Sequence, residues 1–169
     1  MIHDPIQRGR AVAALYTRLA PSLFRDLEES GLLPEPDPDA RDQARGEWEY
    51  FALYACVRGL VAAGGFNRES GQALDAFHET VLEDLRLETP SAEELEARRA
   101  TVAERYAEYG ELGQKESRGG DPNVARALGA AAARHMVAPR EPTDALAELV
   151  GSLHEALVDG VGDALEQGA

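Results

Sequence analysis

Apolar residues recur along this chain at helical spacing, and no stretch alternates between apolar and polar positions as a half-buried strand would. The clearest series is Leu15, Leu19, Leu23 and Leu27, which returns every four residues. The pattern predicts an all-α fold of five to seven helices. Since the connections are short, we expect a mostly antiparallel bundle. A chain of 169 residues suits one core, so we interpret 1–169 as a single domain.

Capping and turn residues divide the pattern into elements. The first helix should cover 5–30, where Pro21 either kinks it or splits it. The second should cover 40–63 and end at the pair Gly64–Gly65. The others are expected over 67–88 behind the cap Asn67, over 91–112 behind the capping box of Ser91, from Asp121–Pro122 onward, and over 143–166 behind Thr143. The polar, glycine-containing stretch 113–121 predicts a flexible linker.

The last two helices are complementary in charge. No acidic residue lies between Pro122 and Arg140, and no lysine or arginine follows Arg140. The apolar positions of the last helix keep close to a heptad repeat: Leu146, Val150, Leu153, Leu157, Val161 and Leu165. Such a stripe is typical of a helix face that packs on a core, and a dimer seam is the alternative interpretation.

Arg58 is the single charged residue in the apolar stretch 50–63. The short connection after this stretch predicts that the second and third helices pair as a hairpin at the centre of the bundle. Residues equally far from the turn should then face each other, which places Arg58 opposite Asp75, with Glu79 one turn further. A half-buried arginine requires a partner, so we expect an ion pair between Arg58 and Asp75, with Glu79 as the second choice. The alternative is that Arg58 binds an anionic ligand.

Aromatic residues are densest over 48–54 and 106–109. Core packing explains most of this enrichment, but tyrosines are also frequent in binding sites and interfaces. If the bundle has a ligand pocket, we expect it at Tyr54, Arg58, His78 and Tyr106.

The histidines do not predict a metal site. His78 follows Asp75 at the spacing used by di-metal helical bundles, but the sequence has only one imperfect copy of that motif. We therefore expect no metal and no cofactor.

The sequence contains no recognisable catalytic motif. Nucleophile elbows, cysteine–histidine signatures and phosphate loops are all missing from the sequence, so we assign no catalytic residue and favour a non-enzyme. Cys56, the single cysteine, lies among apolar neighbours, as a buried inert thiol does. One cysteine and the lack of an apolar leader favour a cytoplasmic protein.

The net charge limits the possible partners. With 31 acidic against 17 basic residues the chain carries −14, which disfavours nucleic acid and anionic membranes. The best prediction is a cytoplasmic interaction or regulatory module that binds a protein partner or itself. The alternative is a bundle that binds a small molecule or metal near Arg58 and His78.

Overall fold

A computed structural model describes residues 2–34, 37–88, 91–119 and 124–167. Over these ranges the chain is helical apart from short connections, and the all-α prediction is confirmed. The helices are α1 (Pro5–Glu29), α2 (Pro38–Gly64), α3 (Arg68–Glu88), α4 (Ala92–Gly119), α5 (Val124–Val137) and α6 (Asp144–Gln167). In the described part of the chain, no helix combines the length and the apolar content needed to cross a bilayer.

Three helices begin at the side chains that the sequence predicts as caps. Each capping side chain accepts the backbone N–H three residues further on: Asn67 from Ser70 at 2.9 Å, Ser91 from Glu94 at 3.2 Å and Thr143 from Leu146 at 3.2 Å. These bonds satisfy amides that have no partner inside the helix. The predicted start of α5 at Asp121–Pro122 lies outside the described residues.

One open alternative is resolved, and one boundary differs from the predictions. α1 continues through Pro21 as one helix, so a split is excluded. Next to this proline, the indole Nε1 of Trp48 donates to the carbonyl of Ala20 at 2.8 Å, which ties α2 to α1 where the helix lacks one amide donor. α4 also extends to Gly119, so the predicted linker over 113–121 is helical at 113–119, and its last two positions are not described.

The predicted hairpin of α2 and α3 is wrong. α3 packs mainly on α1, while α2 packs mainly on α6 and α5. Gly9 of α1 lies against Ala73 and Phe77 of α3, and the Tyr16 ring lies 6.3 Å from the Phe77 ring. Near the start of both helices Arg8 and Ser70 approach Gly64, and further along Ala20 and Phe24 of α1 line one groove with Val81 and Asp84 of α3, so α1 and α3 are parallel. The connection of three residues between α2 and α3 does not make these two helices the main packing partners of each other.

α2 nonetheless lies at the centre of the fold, since it contacts every other helix of the described chain. Phe51, Ala55, Cys56 and Leu60 are all fully buried. The core divides into two adjoining clusters, and α2 contributes side chains to both. This position explains why few polar residues occur in the second half of α2.

α6 uses its heptad stripe as a core face. Five of its six positions are buried: Leu146, Val150, Leu157, Val161 and Leu165. The stripe is thus not available as the dimer seam that we considered. Where α6 meets α5, Gly129 lies directly against Ala147 and Gly151, because the small side chains of α5 permit close approach.

Candidate functional site

The structure brings three of the four predicted pocket residues together. Tyr54 of α2, His78 of α3 and Tyr106 of α4 form one aromatic cluster. The Tyr54 and Tyr106 ring centroids are 5.8 Å apart, and Nε2 of His78 lies 3.0 Å from the hydroxyl of Tyr106. The polar atoms of His78 and Tyr106 therefore bond to each other.

Arg58 lies beside Tyr54 but points to α6. Its Nη1 is 2.7 Å from Oε1 of Glu155. The predicted partner is thus corrected from Asp75, and from the second choice Glu79, to Glu155. The physical reason is that α3 pairs with α1, so the face of α2 that carries Arg58 meets α6 instead. Arg58 therefore pairs with an acidic residue of the protein itself, as expected for a half-buried arginine, although with a different acid from the predicted one.

His154 is a central residue of this region that the sequence reasoning did not single out. Its side chain is fully buried, and its ring stacks on Phe51 at 4.3 Å and on Tyr54 at 6.0 Å. Neither ring nitrogen makes a hydrogen bond of normal geometry with a described residue. The backbone of Phe51 lies close to the ring and acts to raise the pKa of His154. The signal was present, since His154 stands four residues after Val150 and three before Leu157 on the core stripe.

Burial sets the protonation of the cluster. It lowers the pKa of His154 to about 3, helped by the charge of Arg58, and it lowers the pKa of His78 against the opposing effect of Asp75. Burial also raises the pKa of Tyr54 and, more strongly, that of Tyr106. At neutral pH the histidines are therefore uncharged and the tyrosines keep their protons. The pKa of His154 therefore lies far below neutrality, where a general acid or base works best.

Cys56 is also inert. Burial raises the pKa of its thiol to about 12, so the thiolate needed for nucleophilic or redox chemistry does not form at neutral pH. Within the described ranges, no three histidine, cysteine or carboxylate side chains are placed to hold a metal ion.

α4 is fastened to α2 by acidic residues of α2. Glu47 forms two parallel bonds of 2.7 Å with the guanidinium of Arg105, and Glu49 lies 2.9 Å from Arg98. The charges of Glu47 and Arg105 act on the nearby hydroxyl of Tyr109. This hydroxyl is buried and has no hydrogen-bond partner among the described residues. These two ion pairs thus hold α4, which carries Tyr106 and Tyr109, against α2, which carries Tyr54.

Two open grooves lie away from the predicted pocket. The α1–α2 groove, of about 750 Å³, has as its apolar lining Tyr16, Ala20, Phe24, Trp48 and Val81. The α2–α5 groove, of about 1100 Å³, has as its apolar lining Leu33, Ala44, Met136, Val137 and Pro139. Both are bordered by Arg25, Glu28 and Arg41.

An ion pair stands between the two grooves. Arg41 of α2 bonds to Glu28 of α1 through two contacts, one of them 3.1 Å long between Nη2 and Oε2. Half of the Arg41 side chain is exposed. The two grooves therefore adjoin along α1 and α2, with a bridge that is open to solvent between them.

Comparisons of the chain with protein-family models, with curated proteins and with solved structures find no match.

Proposed function

We propose that this protein is a non-catalytic, cytoplasmic interaction module that receives a segment of a partner protein in the α1–α2 groove and the adjoining α2–α5 groove. The observation that carries the proposal is the pair of grooves, each lined by both apolar and charged residues, on either side of the Arg41–Glu28 bridge. The predicted pocket gives indirect support. His78 bonds to Tyr106 and Arg58 bonds to Glu155, so these polar atoms already have partners within the protein and are less available to a ligand.

The lining of the α1–α2 groove suggests the chemistry of the partner. Its apolar lining includes the exposed Pro21 and the partly exposed Tyr16, which suit apolar anchors. Its rim carries three arginines in a protein of net charge −14: Arg25, Arg41 and Arg45. Two of the three acids of the lining are held by arginines, since Glu28 bonds to Arg41 and Glu49 to Arg98. A segment with apolar anchors and carboxylates fits this groove best.

A peptide library displayed on phage provides the test. We expect the wild type to enrich peptides that combine apolar and acidic residues. The double variant Arg25→Glu, Arg45→Glu should bind these peptides at least about tenfold more weakly, because two favourable charge contacts become repulsive.

The chain offers a matched control in Arg99→Glu, Arg126→Glu. Arg45 and Arg99 each face an acid three residues away on their own helix, and Arg25 and Arg126 are both exposed. The control should bind like the wild type. Equal binding by both double variants, or no enrichment at all, would overturn the proposal.

A second candidate is a bundle that binds a small molecule near Tyr54, Arg58, His78 and Tyr106. The observation in its favour is that the ring nitrogens of His154 and the hydroxyl of Tyr109, both next to Tyr54, are buried without hydrogen-bond partners among the described residues. Native mass spectrometry beside a denatured control distinguishes the two candidates. Mass that denaturation releases favours this second candidate, whereas a bare polypeptide mass favours the interaction module.

A further inference from the structure

Two polar side chains without partners lie at the end of the bundle where α1 and α3 begin. Ser70 is only 2% exposed, and its hydroxyl has no hydrogen-bond partner in the described ranges. Arg8, which is partly buried, makes no hydrogen bond or ion pair through its guanidinium with any described residue. A buried hydroxyl and a partly buried cation both carry a free-energy cost when unpaired.

The two side chains lie against the same face of Gly64, the last residue of α2. A Cβ atom placed on Gly64 would stand 2.5 Å from Oγ of Ser70 and 2.6 Å from Nη2 of Arg8. The Ser70 hydroxyl and the Arg8 guanidinium thus fill the volume that a side chain at position 64 would occupy. Three helices supply this space: Arg8 comes from α1, Gly64 from α2 and Ser70 from α3.

The first turn of α3 adds a positive potential. The side chain of Asn67 accepts the N–H of Ser70, and its carbonyl accepts the N–H of Gly71. The amides of Arg68 and Glu69 make no such bond with a described residue, as is usual at a helix N-terminus, and they carry the positive end of the helix dipole. The unmet groups at this end are therefore mainly donors, and an acceptor with negative charge would satisfy them.

We propose that Arg8, Ser70 and the first turn of α3 form a binding site for a phosphate-class oxyanion, either inorganic phosphate or the phosphoryl group of a small metabolite. A guanidinium has only donors and pairs with two oxygens of one oxyanion. The Ser70 hydroxyl and the amides of a helix N-terminus bind further oxygens of such a group. The anion enters between Arg8 and Ser70, and the long arginine side chain moves aside to admit it.

The surrounding charges set the expected strength of the site. Asp4, the N-cap of α1, already accepts the N–H of Gln7 at 2.8 Å, and the exposed side chains of Arg68 and Glu69 offset each other. The net charge of −14 repels anions at long range. Binding therefore depends on the local donors, and we expect a dissociation constant in the millimolar range.

The test is a titration with potassium phosphate at constant ionic strength, balanced with potassium chloride. It is followed through the backbone amide resonances of 15N-labelled protein. We expect saturable shifts at 64–71 with phosphate and none with chloride. Arg8→Gln should weaken binding about tenfold, as loss of a charge-assisted bidentate contact does. Ser70→Ala should weaken it about threefold to fivefold, as loss of one hydrogen bond does.

Two matched variants serve as controls. Arg10→Gln removes an exposed arginine of the same helix, and Gly71→Ala places a methyl group where no atom lies within 4 Å. Both should bind phosphate like the wild type, whereas Gly64→Ala should not bind it. A second titration with glycerol 3-phosphate separates the two sources of the phosphoryl group, since tighter binding than inorganic phosphate identifies a metabolite.

Three results would overturn the proposal: shifts that do not saturate, equal shifts with chloride, or equal affinities for Arg8→Gln and Arg10→Gln. If Arg8→Gln does not fold, the comparison of Ser70→Ala with Gly71→Ala decides in the same way. This outcome is independent of the grooves, because neither Arg8 nor Ser70 lines them.

Discussion

Among single residues, the sequence predicted that Arg58 needs a partner, but it could not identify that partner. The choice of Asp75 depended on a hairpin that does not form, and Glu155 lies 97 positions away in the sequence. Glu47, which lies on α2 eleven positions before Arg58, also has a partner that is distant in the sequence. It makes the bidentate pair with Arg105, where the two side chains are only 13% and 16% exposed. Long-range pairs depend on tertiary packing, which local spacing does not encode.

His154 should make the stability of the protein depend on pH. Its pKa is about 3 in the folded protein, below the ordinary value of 6.5 that the unfolded chain restores. The unfolded state therefore binds a proton more readily, and stability falls as the pH drops from 6.5 toward 3. His78, whose pKa is also lowered, acts in the same direction.

The variant His154→Leu tests this dependence. It replaces a ring whose two nitrogens make no hydrogen bond of normal geometry with a described residue by an apolar side chain of similar size, and we expect it to gain about 1 kcal/mol of stability at pH 7. Urea denaturation from pH 7 to pH 4 should also show a shallower loss of stability than in the wild type. A variant as pH-dependent as the wild type would show that other groups govern acid unfolding.

Among the helices, sequence and structure agree on existence and on caps, because both are local. Asn67, Ser91 and Thr143 each cap a helix within three residues of chain. Helix partners were not predictable in the same way. The parallel pair of α1 and α3 depends on Gly9, which lies against Ala73 and Phe77, and a glycine inside a helix pattern does not itself reveal which helix will approach it.

Gly9→Ala should separate α1 from α3. The added Cβ would lie 2.8 Å from both the Cβ of Ala76 and the backbone nitrogen of Phe77, closer than packed atoms tolerate. We expect a loss of about 2 kcal/mol or more, since neither atom belongs to a flexible side chain. The measurement is the free energy of unfolding in urea.

Gly46→Ala is the control for this substitution. Gly46 also lies inside a helix, but no atom stands within 4 Å of its added Cβ. Here the higher helix propensity of alanine should stabilise the protein by about 0.5–1 kcal/mol. A loss of similar size in both variants would mean that the α1–α3 contact is not close enough to exclude a methyl group.

At the scale of the whole molecule, the fold class was predictable and the candidate site was only partly so. Tyr54, His78 and Tyr106 meet as expected, because the densest aromatic residues of an α-helical chain tend to share a core. The grooves were not predicted, since they arise where α1, α2, α3 and α5 leave space between them. The same applies to the site of Arg8 and Ser70, whose residues are 62 positions apart.

The charge of the whole molecule makes a prediction of its own. A net charge of −14 produces self-repulsion that opposes the compact state. Salt screens this long-range repulsion, as the Debye length falls from about 30 Å at 10 mM to about 8 Å at 150 mM. Short contacts such as Glu47–Arg105 lose less, because partly buried pairs are screened less. We therefore expect the melting temperature to rise by about 2–4 °C over this range of sodium chloride, equivalent to about 1 kcal/mol for a chain of this length.

The control for the salt effect removes charge without touching an ion pair. Asp159 and Asp163 are exposed on α6 and form no salt bridge with a described residue. The double variant Asp159→Asn, Asp163→Asn lowers the magnitude of the net charge by two and should respond less to salt than the wild type. A melting temperature that falls with salt would instead mean that the surface ion pairs outweigh the repulsion. In that case local ion pairs such as Arg58–Glu155 would offset the repulsion among the excess acidic residues, and the net charge would not lower the stability of the protein.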